Sequence, residues 1–156
     1  MDAGTILLMR HAEKPADNND PHLAPAGKER ALKLVQYVPT TFGKPAHLVA
    51  SKPTKNSDRP LETLQPLSET LGLNVNTDFA DDDCAALARK LLSDGKFEGV
   101  LTVVCWHHQK IPHFAHRLGA KHGEYPDPWD DNVYNLILRF DFTHGTPKLS
   151  KLVEPF

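Results

Sequence analysis

The sequence predicts an α/β protein: a three-layer α/β/α sandwich around a mostly parallel sheet, with an antiparallel strand pair at the C-terminal end. Three observations predict it. Short apolar runs, such as Ile6-Leu7-Leu8-Met9 and Val100-Leu101-Thr102-Val103-Val104, read as strands buried on both faces. They alternate with segments whose apolar residues recur at helical spacing, the pattern of crossover helices covering a parallel sheet. From Asn132 onward the alternation stops, and two extended stretches flank Thr143-His144-Gly145-Thr146, a hairpin signal.

In chain order, the first strand begins at Thr5 and runs into Arg10-His11-Ala12-Glu13-Lys14-Pro15, where hydrophobicity gives way to charge. Ala16 to Pro21 is a polar loop. Ala31, Leu34, Val35 and Val38 set an amphipathic helix over Lys28 to Val38, which Pro39 should end. Ala46 to Ser51 is a short buried strand, and Lys52 to Asp58 the loop beyond it. Leu61, Leu64, Leu67 and Leu71 mark a helix from Arg59 to Leu71, with Pro60 suited to its first turn, Ser57 or Asp58 available as cap and Gly72 as stop. Pro66 should kink or split it. Val75 to Phe79 is a weak strand. Asp81-Asp82-Asp83 opens a helix over Cys84 to Leu92, its acids favoured by the helix dipole. Gly99 to Trp106 is a strongly apolar strand running into His107-His108-Gln109-Lys110, and Ile111 to Gly119 is a helix. Glu124 to Asp131 is a proline- and aspartate-rich loop. Asn132 to Phe142 reads as a half-exposed strand, with Pro147 to Val153 its partner.

The 156 residues suit one domain spanning 1–156, long enough to bury roughly 70% of the unfolded chain's surface. A net charge of −2 excludes a general basic field for nucleic acid or an anionic membrane, so any anion site must be local. No apolar run reaches the ~20 residues that span a bilayer, and the N-terminus lacks signal-peptide character. Cys84 and Cys105 fall in a helix and a strand and read as buried thiols. The expectation is a soluble, cytoplasmic protein.

The chemistry collects at strand ends. In a parallel sheet, residues just past the carboxyl ends of the strands line the ligand crevice. Arg10-His11 follows the first strand and His107-His108 the fourth, and Arg59 starts the helix after the second. Two arginine forks and two histidines on one edge suit a dianionic tetrahedral group. His113 and His116 have His-x-x-His spacing, but nothing nearby completes a ligand set, and no metal or cofactor is expected. His22, His47, His122 and His144 are read as surface residues without a role.

Arg10-His11-Ala12-Glu13, Leu23-x-x-x-Gly27 opening a helix, Arg59-x-x-x-Thr63, and an apolar strand ending in histidine before Ile111 together resemble the histidine phosphatase (phosphoglycerate mutase-like) superfamily. The similarity is to its small single-domain branch without a large cap, and runs from Thr5 to the terminal strands. It implies that His11 attacks phosphorus, forming a phosphohistidine, while Arg10, Arg59 and a second histidine hold the phosphoryl oxygens. The second histidine is His107 by the commoner spacing and His108 by the Trp-x-His-x-x-Ile-Pro signature, which is preferred. The general acid, usually a glutamate, would be Asp81, with Asp82, Asp83 or no residue as the other options. If none serves, good leaving groups would be favoured. Lys14 is either part of the pocket mouth or plain surface.

The expected activity is metal-independent hydrolysis of a phosphate ester, anhydride or phosphohistidine, on a phosphorylated small molecule or a phosphoprotein. The other reading is a non-catalytic phosphate-binding module of the same fold. The natural substrate and the oligomeric state do not follow from the sequence. The loops at 16–21, 52–58 and 124–131 would set specificity.

Overall fold

The computed structural model describes residues 1–156. Four strands, β1 (Ala3–Arg10), β2 (His47–Ala50), β3 (Val75–Asn76) and β4 (Leu101–Trp106), are parallel. β5 (Leu136–Thr143) runs antiparallel to β1 and carries β6 (Thr146–Val153) outside it, giving the sheet order β3-β2-β4-β1-β5-β6. The helices are α1 (Pro25–Phe42), α2 (Arg59–Leu71), α3 (Cys84–Ser93) and α4 (Ile111–Arg117).

Alternation along the two central strands builds the three layers. Ile6 and Leu8 of β1 and Val104 and Trp106 of β4 face one way, into a core with Leu87 and Leu91 of α3 and Phe114 of α4. Leu7, Met9, Val103 and Cys105 face the other way, against Leu34 and Val38 of α1 and Leu64 and Leu67 of α2. Both faces are therefore dry, which is why these strands read as continuous apolar runs. Cys84 and Cys105 are buried free thiols. No helix is long and apolar enough to cross a membrane.

The sequence reading needs correction at its prolines. Pro39 does not end α1, which starts at Pro25 and continues to Phe42. A proline forfeits one helical hydrogen bond, but here the last turn is held by packing: the Tyr37 ring meets Phe42 at 5.7 Å and Phe156 at 5.4 Å, both edge-on. Pro66 does not split α2 either, since Leu64 and Leu67 on either side of it are fully buried. Gly72 does stop α2, in the left-handed conformation with φ 67°. At Asp58, the cap position of α2, the side chain makes no capping bond. The three aspartates form a separate 3-10 turn, Asp81–Asp83, ahead of α3. β3 has only two residues. β5 starts at Leu136 and alternates as expected, with Leu138, Phe140 and Phe142 buried and Arg139, Asp141 and Thr143 partly or fully exposed. The edge strand β6 has no buried residue.

One helical glycine fixes the approach of α1 to the segment after β1. A Cβ on Gly27 would lie 2.4 Å from the Glu13 carbonyl oxygen and 2.9 Å from its nitrogen. The Glu13 carbonyl meanwhile accepts from the Ala24 N–H at 2.9 Å. In an open helix Gly→Ala stabilises by about 1 kcal/mol. Gly27→Ala should instead destabilise by about 1–3 kcal/mol, the usual cost of overpacking, as a lowered urea midpoint would register.

Candidate active site

Parallel pairing of β1 with β4 brings the two histidine segments together. Arg10 pairs with Trp106, and the His11 N–H donates to the Trp106 carbonyl at 3.0 Å. The next residue on each strand is a histidine, and the His11 and His107 rings meet edge-on with centroids 5.4 Å apart. They open into a cavity of about 470 Å³ at the carboxyl edge of the sheet, lined by 13 residues, none of them hydrophobic. Arg10, Lys14, Arg59, Asp81 and His108 line it as well, so every residue expected at the site borders one space.

The His11 imidazole has a defined tautomer. Its Nδ1 lies 2.6 Å from the Ala12 carbonyl oxygen, which can only accept, so the proton is on Nδ1 and the lone pair on Nε2. Burial is the main cause holding the His11 pKa down at about 3, and His107, Arg10 and Arg59 add to it. The His107 pKa is held at about 4, first by burial and then by Arg59, His108 and Arg10. Both rings are neutral near pH 7.

Each arginine is clamped by main-chain carbonyls rather than carboxylates. Arg10 is 2% exposed; its Nη1 donates to the carbonyls of Asp131 at 2.6 Å and Val133 at 3.1 Å. Tyr134 covers it, ring centroid 3.9 Å from the guanidinium carbon, with its hydroxyl accepting from Nη2 at 3.3 Å. Arg59 Nε donates to the His22 carbonyl at 3.0 Å, and its Nη2 to the Asp20 carbonyl. Carbonyl dipoles orient a guanidinium without cancelling its charge, so both arginines still offer a positive charge to an anion.

Asp81 is the carboxylate among the lining residues. One of its oxygens is buried without a hydrogen-bond partner. Burial raises its pKa to about 6, against the pull of Lys110 and with a small push from Asp82. Trp106 Nε1 donates to the Asp81 carbonyl at 3.2 Å, fixing its main chain to the end of β4. Asp82 instead pairs with Lys110 at 3.0 Å and is exposed. His108 also borders the cavity, but its Nε2 is tied to Asp131 at 2.7 Å.

Residues behind the site hold the two strand-end segments. The Thr63 hydroxyl accepts from the Ala12 N–H at 2.9 Å and donates to the Arg59 carbonyl at 2.8 Å, tying the segment after His11 to α2. Arg30 on α1 bridges Glu13 at 2.9 and 3.2 Å and the buried Glu154 at 2.9 Å.

Of the loops expected to set specificity, only the one at 52–58 borders the cavity along much of its length. The other two act mainly through the carbonyls that hold the arginines. His22, assigned no role from sequence, supplies one of them. Its ring meets Glu62 at 2.8 Å and Asp58 at 3.1 Å, the one group of three histidine or acid residues close enough to share an ion. His113 and His116 do not converge with other ligands; the His116 ring stacks on His122 at 4.4 Å. Tyr134 and Glu154 were missed, since no local motif marks them and each has its partner 124 residues away in sequence.

No family model matches the sequence, and no curated protein matches it either. Solved structures do match. Protein histidine phosphatase SixA in complex with tungstate superimposes with a TM-score of 0.67 at 15% identity, over 96% of each chain. Mycobacterial glucosyl-3-phosphoglycerate phosphatase in complex with VO3 gives 0.68 at 14%, over 97% of this chain and all of the other. A phosphoserine phosphatase variant from Entamoeba histolytica with phosphoserine gives 0.60 at 16%, over 94% and 95%. The chain therefore has the phosphoglycerate mutase-like fold. It has it in its compact form, with each of these neighbours covered almost end to end.

The buried histidines make stability depend on pH. Above the ordinary histidine value of 6.5 their contribution is complete. It is lost as the pH falls toward 4 and 3, where the folded protein finally accepts the protons that the unfolded chain already holds. Asp81 acts oppositely, keeping a proton between its ordinary 3.8 and about 6 that the unfolded chain releases. Two groups oppose one, so unfolding near pH 5 should take up about one proton from this trio. Urea midpoints should fall between pH 7 and 4, and less steeply in a His11→Asn, His107→Asn double variant.

Proposed function

We propose that the protein is a phosphatase that works through a phosphohistidine on His11 without a metal ion. The observation that carries this reading is the bond from His11 Nδ1 to the Ala12 carbonyl. It leaves Nε2 as the nucleophile, in a cavity that both arginine forks border. Arg10 and Arg59 supply the fixed positive charge that phosphoryl transfer requires.

In the first step the Nε2 lone pair forms the N–P bond as the P–O bond to the leaving group breaks. The bonding pair goes to the leaving oxygen, which takes the proton of Asp81. In the second step the Asp81 carboxylate takes a proton from water, whose oxygen attacks phosphorus. The P–N bond returns its pair to Nε2, and phosphate leaves. A pKa of about 6 suits both duties, since the carboxyl can hold or accept a proton near neutrality. An acid of this kind favours turnover over mere phosphate binding.

His107, rather than the His108 preferred from sequence, is assigned to the phosphoryl oxygens. The strand register sets it against His11, whereas His108 is engaged with Asp131. The neighbours named as histidine, phosphoserine and glucosyl-3-phosphoglycerate phosphatases support a phosphorylated substrate, small molecule or protein. Two buried free thiols suit a reducing, cytoplasmic setting, and the working unit is one domain over residues 1–156.

Hydrolysis of 4-nitrophenyl phosphate should persist in EDTA and fall about a thousandfold or more in His11→Ala. Acid-labile phosphate should be trapped on the wild-type chain alone. An undiminished rate in His11→Ala would sink the mechanism.

Asp81→Asn should separate substrates by leaving group. Alkyl phosphates should slow by about 10²–10⁴-fold, and nitrophenyl phosphate far less. The wild-type rate on alkyl phosphates should decline as pH rises through about 6, where Asp81 loses its proton, and the variant's pH profile should lack that limb.

A further inference from the structure

The cavity holds more positive charge than a phosphoryl group can match. Four lining residues, Arg10, Lys14, Lys52 and Arg59, are cationic, against the single carboxylate of Asp81. None of the four pairs with a carboxylate; Asp131 pairs with His108, and Asp82 with Lys110. A phosphate monoester carries about −1.5 to −2 near neutral pH, which with the Asp81 carboxylate still leaves at least about one positive charge unmatched. The lining contains no hydrophobic residue, so the non-reacting part of the substrate gains little here from being hydrophobic.

One of the surplus cations stands on the side from which the leaving group departs. The Lys52 N–H donates at 2.8 Å to the carbonyl of Phe79, two residues ahead of Asp81, so the Lys52 main chain is tied to the segment that carries the proton donor, and both residues line the cavity. The residue before it, Ser51, is 1% exposed and borders the cavity with a hydroxyl that has no hydrogen-bond partner. A buried unpaired hydroxyl costs stability unless a ligand completes it. The loop beyond is folded on itself: the Thr54 hydroxyl accepts from the N–H groups of Asn56 and Ser57, both at 3.2 Å.

We infer that the substrate is a small, polar phosphorylated molecule whose leaving group carries a second anionic group, a carboxylate or another phosphate, received by Lys52 and the Ser51 hydroxyl. The inference rests on the phosphatase reading, because that reading makes the Asp81 side the leaving-group side. Lys14, which adds positive charge near His108, raises the attraction for anions generally and is not assigned to the second group.

Phosphoglycolate and 3-phosphoglycerate, each compared with its own carboxamide, isolate the second charge at two reaches. Pyrophosphate against phenyl phosphate tests a second phosphate. The charged member should be preferred at least about tenfold in kcat/KM, the scale of one charge-assisted hydrogen bond. That preference should collapse toward unity in Lys52→Gln and shrink in Ser51→Ala. It should survive in Lys55→Gln, which removes an exposed charge from the same loop without touching the cavity. Equal rates on all matched pairs, or a preference that survives in Lys52→Gln, would overturn the inference. If no ester or anhydride is hydrolysed at all, the phosphatase reading fails. The same pairs then decide the second site by calorimetry, through the ratio of Kd values in wild type and Lys52→Gln, with the same two outcomes.

Discussion

The parallel pairing of β1 with β4 is the constraint on which the rest of the site depends. Because the His11 N–H is anchored to the Trp106 carbonyl, the first residues past the two strands stand side by side, and both are histidines. A slip of one residue in that register would turn His11 and His107 toward opposite faces of the sheet. The register is itself held by burial on both faces, with Ile6, Leu7, Leu8, Val103, Val104 and Trp106 all without exposed surface. Apolar packing in the middle of the sheet thus sets the spacing of polar groups at its edge.

The arginines show how positive charge is kept both buried and usable. A carboxylate partner would fix a guanidinium but neutralise it. Carbonyl oxygens of Asp131 and Val133 fix Arg10, and those of Asp20 and His22 fix Arg59, while the net charge stays in place. The same cations help hold His11 and His107 neutral. A bound dianion would offset them and favour positive charge on the rings.

The layers, the parallel run of the first four strands and the carboxyl-edge location of His11, Arg10, Arg59 and the histidine pair were legible, because continuous apolar runs and strand-end charges are local signals. Asp81 was legible as the preferred one of three aspartates; its burial, which raises its proton affinity, is a tertiary property. The proposed choice of His107 over His108 rests on register, which a strand's own sequence does not state. Pro39 and Pro66 misled because packing of Tyr37, Leu64 and Leu67 outweighs one missing hydrogen bond. Tyr134 and Glu154 carried no motif, and each acts on a residue at the far end of the chain.

The absence of any hydrophobic wall in the cavity bears on how the site could be blocked. Most tight small-molecule ligands draw much of their affinity from burying carbon against carbon, and this pocket, with no hydrophobic residue in its lining, provides little surface for that. An inhibitor would have to bind through ionic and hydrogen-bonding groups matched to fixed cations, and its affinity would weaken with added salt. Such compounds are themselves highly charged and cross lipid bilayers poorly. The charge that would let the cavity hold a phosphorylated molecule, as proposed, also makes it a poor target for uncharged drugs.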